Sequence, residues 1–178
     1  MSYLLLSISG HDRAGIVRDV SEAMLHLNAN IEDSSMTALR GRFTMMLIVK
    51  LAEEDGLGAV KAALAELEQR TGLTVQSQPL GSDEAMVMPQ EPDCVVTVTG
   101  ADKPGIVFEV TDVLAAHEVS IVDVSTRSRD SGDRGDLYMM ALEAFSDGRA
   151  ESLRAPLEAV ASRLGIDVEV HILDETVI

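Results

Sequence analysis

Short apolar runs and helical stripes alternate along the chain, and they do so twice. Leu4 to Ser9 is apolar and turns polar at Gly10, the pattern of a short buried strand. Ile16, Val17, Val20, Met24 and Leu27 then recur at helical spacing and predict an amphipathic helix. A second strand is expected from about Asn30 to Leu39, a tight hairpin at Leu39-Arg40-Gly41-Arg42, and a third strand from Phe43 to Leu51. Val60, Leu64 and Leu67 mark the buried stripe of a second helix, and Leu73 to Gln78 reads as a fourth strand.

The second half repeats this order. Ser9-Gly10-His11-Asp12-Arg13-Ala14-Gly15-Ile16-Val17 returns as Thr99-Gly100-Ala101-Asp102-Lys103-Pro104-Gly105-Ile106-Val107, displaced by 90 positions. The register persists through Val20/Val110, Ile31/Ile121, Asp33/Asp123 and Ser35/Ser125, so that about 9 of 28 positions match without a gap. Farther on, Met45-Met46 aligns with Met139-Met140 at an offset of 94, which places four extra residues in the looser hairpin Ser128 to Asp136. Cys94 to Thr99, the stripe Ile106, Val107, Val110, Val113 and Leu114, Ser120 to Arg129, Leu137 to Phe145 and Ile166 to Leu173 supply the remaining elements. Along Ser120 to Arg129, Ile121, Asp123 and Ser125 alternate with Val122, Val124 and Thr126, as in a sheet with one covered face. Leu153, Leu157, Val160 and Leu164 form the second copy's second helix, which Pro156 either starts near Arg154 or bends. The order in each copy is β-α-β-β-α-β, a ferredoxin-like arrangement. The predicted class is α+β, with two tandem ferredoxin-like βαββαβ domains on antiparallel sheets, residues 1–79 and 93–178. A linker at 80–92 carries Gly81, Pro89 and Pro92.

Charge narrows the partners. The chain has 30 acidic and 14 basic residues, a net charge of −16, and no basic run on one face, which argues against direct nucleic-acid binding. Arg127, Arg129 and Arg134 cluster locally but are diluted by Asp130, Asp133 and Asp136. Cys94 is the only cysteine and opens an apolar run, so it reads as a small buried hydrophobe. No disulfide framework or multi-cysteine metal site is possible with one thiol. The N-terminus lacks a signal-peptide pattern and no apolar stretch spans a bilayer, so a cytoplasmic location with no membrane contact is expected.

Chemical motifs are sparse. No phosphate loop, strand-linked GxGxxG, nucleophile elbow or HExxH is found, the four histidines are scattered, and acid pairs such as Glu53-Glu54 and Glu66/Glu68 lie on polar faces. The expectation is therefore a non-catalytic chain with no cofactor and no metal. The strand-to-helix loop, present twice, is what remains. It offers backbone N–H groups at a helix start, where an anion is favoured. Gly15 and Gly105 keep Cβ atoms away, and Asp12 and Asp102 can accept from an ammonium group. That combination suits a free amino acid. Equally, each Asp can simply cap its helix and each Gly allow close strand-helix packing, with no ligand.

Asp12-Arg13-Ala14-Gly15-Ile16-Val17 and Asp102-Lys103-Pro104-Gly105-Ile106-Val107, each followed by Asn30-Ile31 or Ser120-Ile121, resemble ACT domains. Asn28 to Ser34, and Leu39 to Leu47 with Gly41, Phe43 and Thr44, are more specifically similar to the glycine cleavage system transcriptional repressor group. The resemblance implies a regulatory module that binds small ligands, commonly amino acids, between paired domains. The positions it would assign to the ligand are Asp12, Arg13, Ala14, Gly15, Ile16 and Asn30, and in the second copy Asp102, Lys103, Pro104, Gly105, Ile106 and Ser120. Two departures stand out: Ala14 replaces the family's usual Pro, and Ser120 its usual Asn. The resemblance further implies pairing through first helices and edge strands, a homodimer, and a protein partner that is either a DNA-binding activator or an enzyme. The leading expectation is a regulator of glycine or amino-acid metabolism acting through protein contact. The rival is a regulatory subunit of an amino-acid metabolic enzyme.

Overall fold

The computed structural model describes residues 2–52, 57–129 and 136–173. Glu53-Glu54, Arg134 and most of the Ser128–Asp136 hairpin lie outside these residues. In the first half, β1 (Ser2–His11), α1 (Ile16–His26), β2 (Asn30–Leu39), β3 (Arg42–Leu51), α2 (Leu57–Thr71) and β4 (Thr74–Leu80) follow one another. A short α3 (Ser82–Ala85) comes next, so part of the stretch read as a linker is helical. The second half runs β5 (Cys94–Ala101), α4 (Ile106–Ala116), β6 (Ser120–Arg129), β7 (Leu137–Phe145), α5 (Arg154–Leu164) and β8 (Ile166–Ile172). The two halves are separate compact units that divide between Met88 and Pro89.

Each unit is one antiparallel four-stranded sheet, ordered β2-β3-β1-β4 and β6-β7-β5-β8, as expected for tandem βαββαβ domains. Alternation decides which face is covered. Leu4, Leu6 and Ile8 of β1 and Phe43, Met45, Leu47, Val49 and Leu51 of β3 are buried against Ile16, Val20 and Met24 of α1 and Val60, Leu64 and Leu67 of α2. In the second unit Cys94, Val96, Val98, Tyr138, Met140 and Leu142 meet Ile106, Val110, Leu114, Leu157 and Val160. With so few aromatics, both cores consist almost wholly of aliphatic and Met side chains, as the composition required. Burial pushes the Cys94 thiol up to about 11, the behaviour of an inert core residue.

The ladders correct the later repeat alignment. Gly10 pairs with Phe43 and Gly100 with Tyr138, so the offset there is 95 rather than 94, and Met45 corresponds to Met140. A slip of one residue turns a strand over. Met45 and Met140 are both buried, whereas Met46 is exposed and Met139 half-buried. The second hairpin is therefore longer by five residues, because Leu39 pairs with Arg42 but Arg129 with Leu137. Pro156 sits in the first turn of α5 behind a 3-10 turn at Ala150–Leu153, so the helix starts at Arg154.

Asp93 anchors the start of the second unit. Its carboxylate accepts from the Ser146 N–H (2.7 Å), the Ser146 hydroxyl (3.0 Å) and the Gly148 N–H (2.9 Å). Burial works to raise its pKa, but these donors outweigh it and hold the carboxyl below 3.8. Gly10 and Gly100 are needed for a different reason, close approach. A Cβ on Gly10 would stand 2.6 Å from Leu73 Cδ2, the end of a flexible side chain; on Gly100 it would stand 2.7 Å from Ile166 Cγ2 and 3.1 Å from Ile166 Cα.

Two outcomes are expected in chemical denaturation. Gly100→Ala costs about 1–3 kcal/mol, because β-branched Ile166 and its backbone cannot yield, while Gly10→Ala costs clearly less. Asp93→Ala costs about 2 kcal/mol near neutral pH. Because the native carboxyl titrates lower than the unfolded one, that difference is full above about pH 5 and vanishes as pH falls through the acid range.

Candidate functional site

Each β1-to-α1 connection turns the chain through four residues. The Asp12 N–H donates to the Gly41 carbonyl at 2.9 Å, and the Asp102 N–H to the Asp136 carbonyl at 3.0 Å, so both loops lean on their hairpins. The helix N-cap is Gly15 (φ +87°) in the first copy and Gly105 (φ +95°) in the second. The carboxylates of Asp12 and Asp102 thus do not occupy the capping position. A glycine cap has no oxygen to offer, so the first-turn N–H groups of α1 and α4 have no side-chain cap.

These glycines do not serve close packing either. A Cβ on Gly105 would meet nothing within 4 Å, and one on Gly15 only Arg13 Nη1 at 3.8 Å. What demands glycine is the left-handed backbone, which strains any L side chain. Both glycines are exposed, while Ile16 and Ile106 behind them are buried.

In the first copy this turn borders a cavity of about 140 Å³ lined by Asp12, Arg13, Gly15, Ile16, Val17, Arg18, Met36 and Phe43. Four of the residues singled out in the sequence are therefore brought together, and Ala14 is not among them. Ile16 borders it as a residue only 2% exposed, with its side chain in the core. Arg13 turns back on its own helix, donating to Asp19 Oδ2 at 2.7 Å and to the Ala14 carbonyl at 3.1 Å. That hydrogen bond holds the Asp19 carboxyl below its ordinary value. Arg18 lines the cavity and is 76% exposed, with only a 3.4 Å approach to Asp19 Oδ1. Val17, Arg18, Met36 and Phe43 look like ordinary helix and strand positions in the sequence, and nothing in their spacing marks them for the cavity.

The second loop differs in its side chains. Lys103 Nζ donates to the Leu164 carbonyl at 2.6 Å, Pro104 stands where Ala14 did, and Phe108 stands in the place of Arg18. Burial pushes the Tyr138 hydroxyl up, and the nearby Asp102 carboxylate adds to the shift.

Asn30 and Ser120 lie elsewhere. Asn30 pairs across from Lys50, which pairs with Tyr3 at the opposite end of β1 from the loop. At about 3.3 Å per strand residue, roughly 30 Å of sheet separates Asn30 from Asp12. The Asn30 amide donates to Glu32 Oε1 at 2.8 Å. Ser120, paired with Phe145, holds the matching place in the second copy. Among the described residues, no group of three or more His, Cys, Asp or Glu is placed to hold a metal ion. No helix there is long and apolar enough to cross a membrane.

Comparison with known proteins agrees with the tandem fold. The ACT domain family model matches residues 2–78 and again 93–171. A UPF0237 protein of Methanopyrus kandleri is 37% identical over 76 residues, covering 42% of this chain and 84% of that protein. The glycine cleavage system transcriptional repressor of Escherichia coli is 22% identical over 176 residues, covering 97% of this chain and 90% of the repressor. A solved structure of an unknown protein from Galdieria sulphuraria superposes with a TM-score of 0.78 at 30% identity, covering 97% of this chain and 99% of that one. The chain belongs to the ACT domain family, as a tandem two-domain member similar along nearly its whole length to the glycine cleavage system transcriptional repressor group.

Proposed function

We propose that the chain senses a small amino acid at its strand-to-helix loop and acts by contacting another protein. The observation that carries this reading is the cavity behind the exposed Gly15 cap. It is lined by Asp12, Gly15 and Arg18 at the uncapped start of α1, a set that favours a carboxylate near the helix N-terminus and arginine and an ammonium near the aspartate. A volume of about 140 Å³ is well beyond what one water needs and leaves room for a small solute.

Acting through protein contact is supported by the net charge of −16, which opposes DNA phosphates. The Escherichia coli relative is named as a transcriptional repressor of the glycine cleavage system. Taken with that charge, the name supports a regulator that reaches genes through a DNA-binding activator. The occupied and empty forms of the loop then differ in what they offer the partner, and the ligand's differential affinity sets the size of the switch.

Calorimetric titration of the full chain with glycine, serine and larger amino acids tests the sensing step. Saturable heat is expected for a small amino acid, weakened about tenfold in Arg18→Ala, equivalent to losing about 1.4 kcal/mol. Absence of heat with every amino acid, or binding that Arg18→Ala leaves unchanged, contradicts the proposal.

A further inference from the structure

The two copies share their cores but tie down their loops differently. Arg13 and Lys103 are equivalent, as are Asp19 and Glu109, and both acids lie in the first turn of their helices. In the first copy Arg13 takes Asp19, so both hydrogen-bond partners of the loop cation lie between residues 14 and 19. Arg70 of α2 is left to pair one turn on, with Glu22, at 2.7 Å. No side chain of that loop reaches α2 among the hydrogen bonds of the described residues.

In the second copy the ammonium of Lys103 crosses to the Leu164 carbonyl, on the last residue of α5. Glu109 is thereby free to take Arg163 of α5 at 2.5 Å, so that loop and helix are tied to α5 at two points. The physical reason lies at the helix end. Last-turn carbonyls lack intrahelical partners and carry the negative end of the dipole, so an ammonium is favoured there. At the corresponding end of α2 the Thr71 hydroxyl folds back on its own helix, donating to the Leu67 carbonyl at 2.5 Å and accepting from the Leu73 N–H at 3.3 Å, and no side chain of the first loop bonds to the last carbonyl among the hydrogen bonds of the described residues. Leu164 stands in the place of Thr71 and has no hydroxyl. Pro104 removes further freedom from the second loop, where Ala14 leaves it in the first.

We propose that Lys103 latches the second strand-to-helix loop to the end of α5, so that the loop able to respond to a ligand is the one in the first copy. The latch stands on these contacts alone; its consequence for the ligand rests on the function proposed above.

Amide exchange by NMR on the full chain tests both parts. The Asp12 and Asp102 amides donate to equivalent hairpin carbonyls, and the Asp19 and Glu109 amides to Gly15 and Gly105, so each pair reports opening of its loop. Asp102 and Glu109 are expected to exchange about fivefold slower than Asp12 and Asp19, the factor carried by one exposed hydrogen bond to a charged donor. Lys103→Ala removes most of that difference and Lys103→Arg keeps it, while exchange at Val110 in the core shows that the variants fold. Equal rates in the unsubstituted chain, or no change in Lys103→Ala, overturn the latch. With glycine added as the probe, slowing at Asp19 without slowing at Glu109 supports the asymmetry, and slowing at both overturns it. No slowing at either site, with the latch intact, overturns the ligand reading and its consequence here but leaves the latch standing.

Discussion

The turn from strand to helix passes through a single left-handed glycine in each copy, and the rest of the arrangement follows from that backbone. With φ near +90° at Gly15 and Gly105, the helix starts at once after the turn, and Ile16 and Ile106 drop straight into the core. The same conformation leaves the helix N-terminus without a side-chain oxygen to close it. Five residues earlier, Gly10 and Gly100 let Leu73 and Ile166 approach the strand so closely that a methyl group would collide. One glycine of each pair is fixed by backbone sign and the other by space. Together they set an uncapped row of amide donors on a packed sheet-and-helix layer.

Duplication preserved what the core requires and released what it does not. The buried positions match between copies: Leu4, Leu6 and Ile8 against Cys94, Val96 and Val98, and Ile16 and Val20 against Ile106 and Val110. The exposed positions around the loop diverged, with Arg18 against Phe108, Ala14 against Pro104, and Arg13 against Lys103. A fold can tolerate this because surface ion pairs contribute little to stability, typically up to about 1 kcal/mol each. The cations at the mouth are thus available for other work, and the two copies use them differently.

Much of this was legible in the sequence. Helix stripes and strand runs located the elements, since burial of one face forces those periods, and the constant offset of 90 revealed the duplication before any coordinate. Periodicity is silent on register, on the sign of φ and on which distant residues converge. The methionine pair points to the wrong register, since both match at an offset of 94 and only Met45 with Met140 at 95, and the ladder shows that Met45 answers to Met140. Asp12 and Asp102 have the composition of helix caps, yet the cap falls three residues later on a glycine whose φ no sequence pattern displays. Asn30 lies at the far end of its own sheet from the loop, so the two sets of positions that the resemblance assigns to the ligand do not meet within one unit. Phe43 and Met36 complete the cavity from β2 and β3, a convergence set by sheet order rather than by spacing along the chain.

The central claim is that the amides behind Gly15 face a small ligand rather than solvent alone. A two-dimensional NH-correlation spectrum of the full chain, followed as glycine or serine is added, reads this residue by residue. The account predicts saturable shifts concentrated at residues 12–18 with companions at Met36 and Phe43. Shifts confined to other regions at saturation, or a spectrum that does not move with any small amino acid, would contradict it.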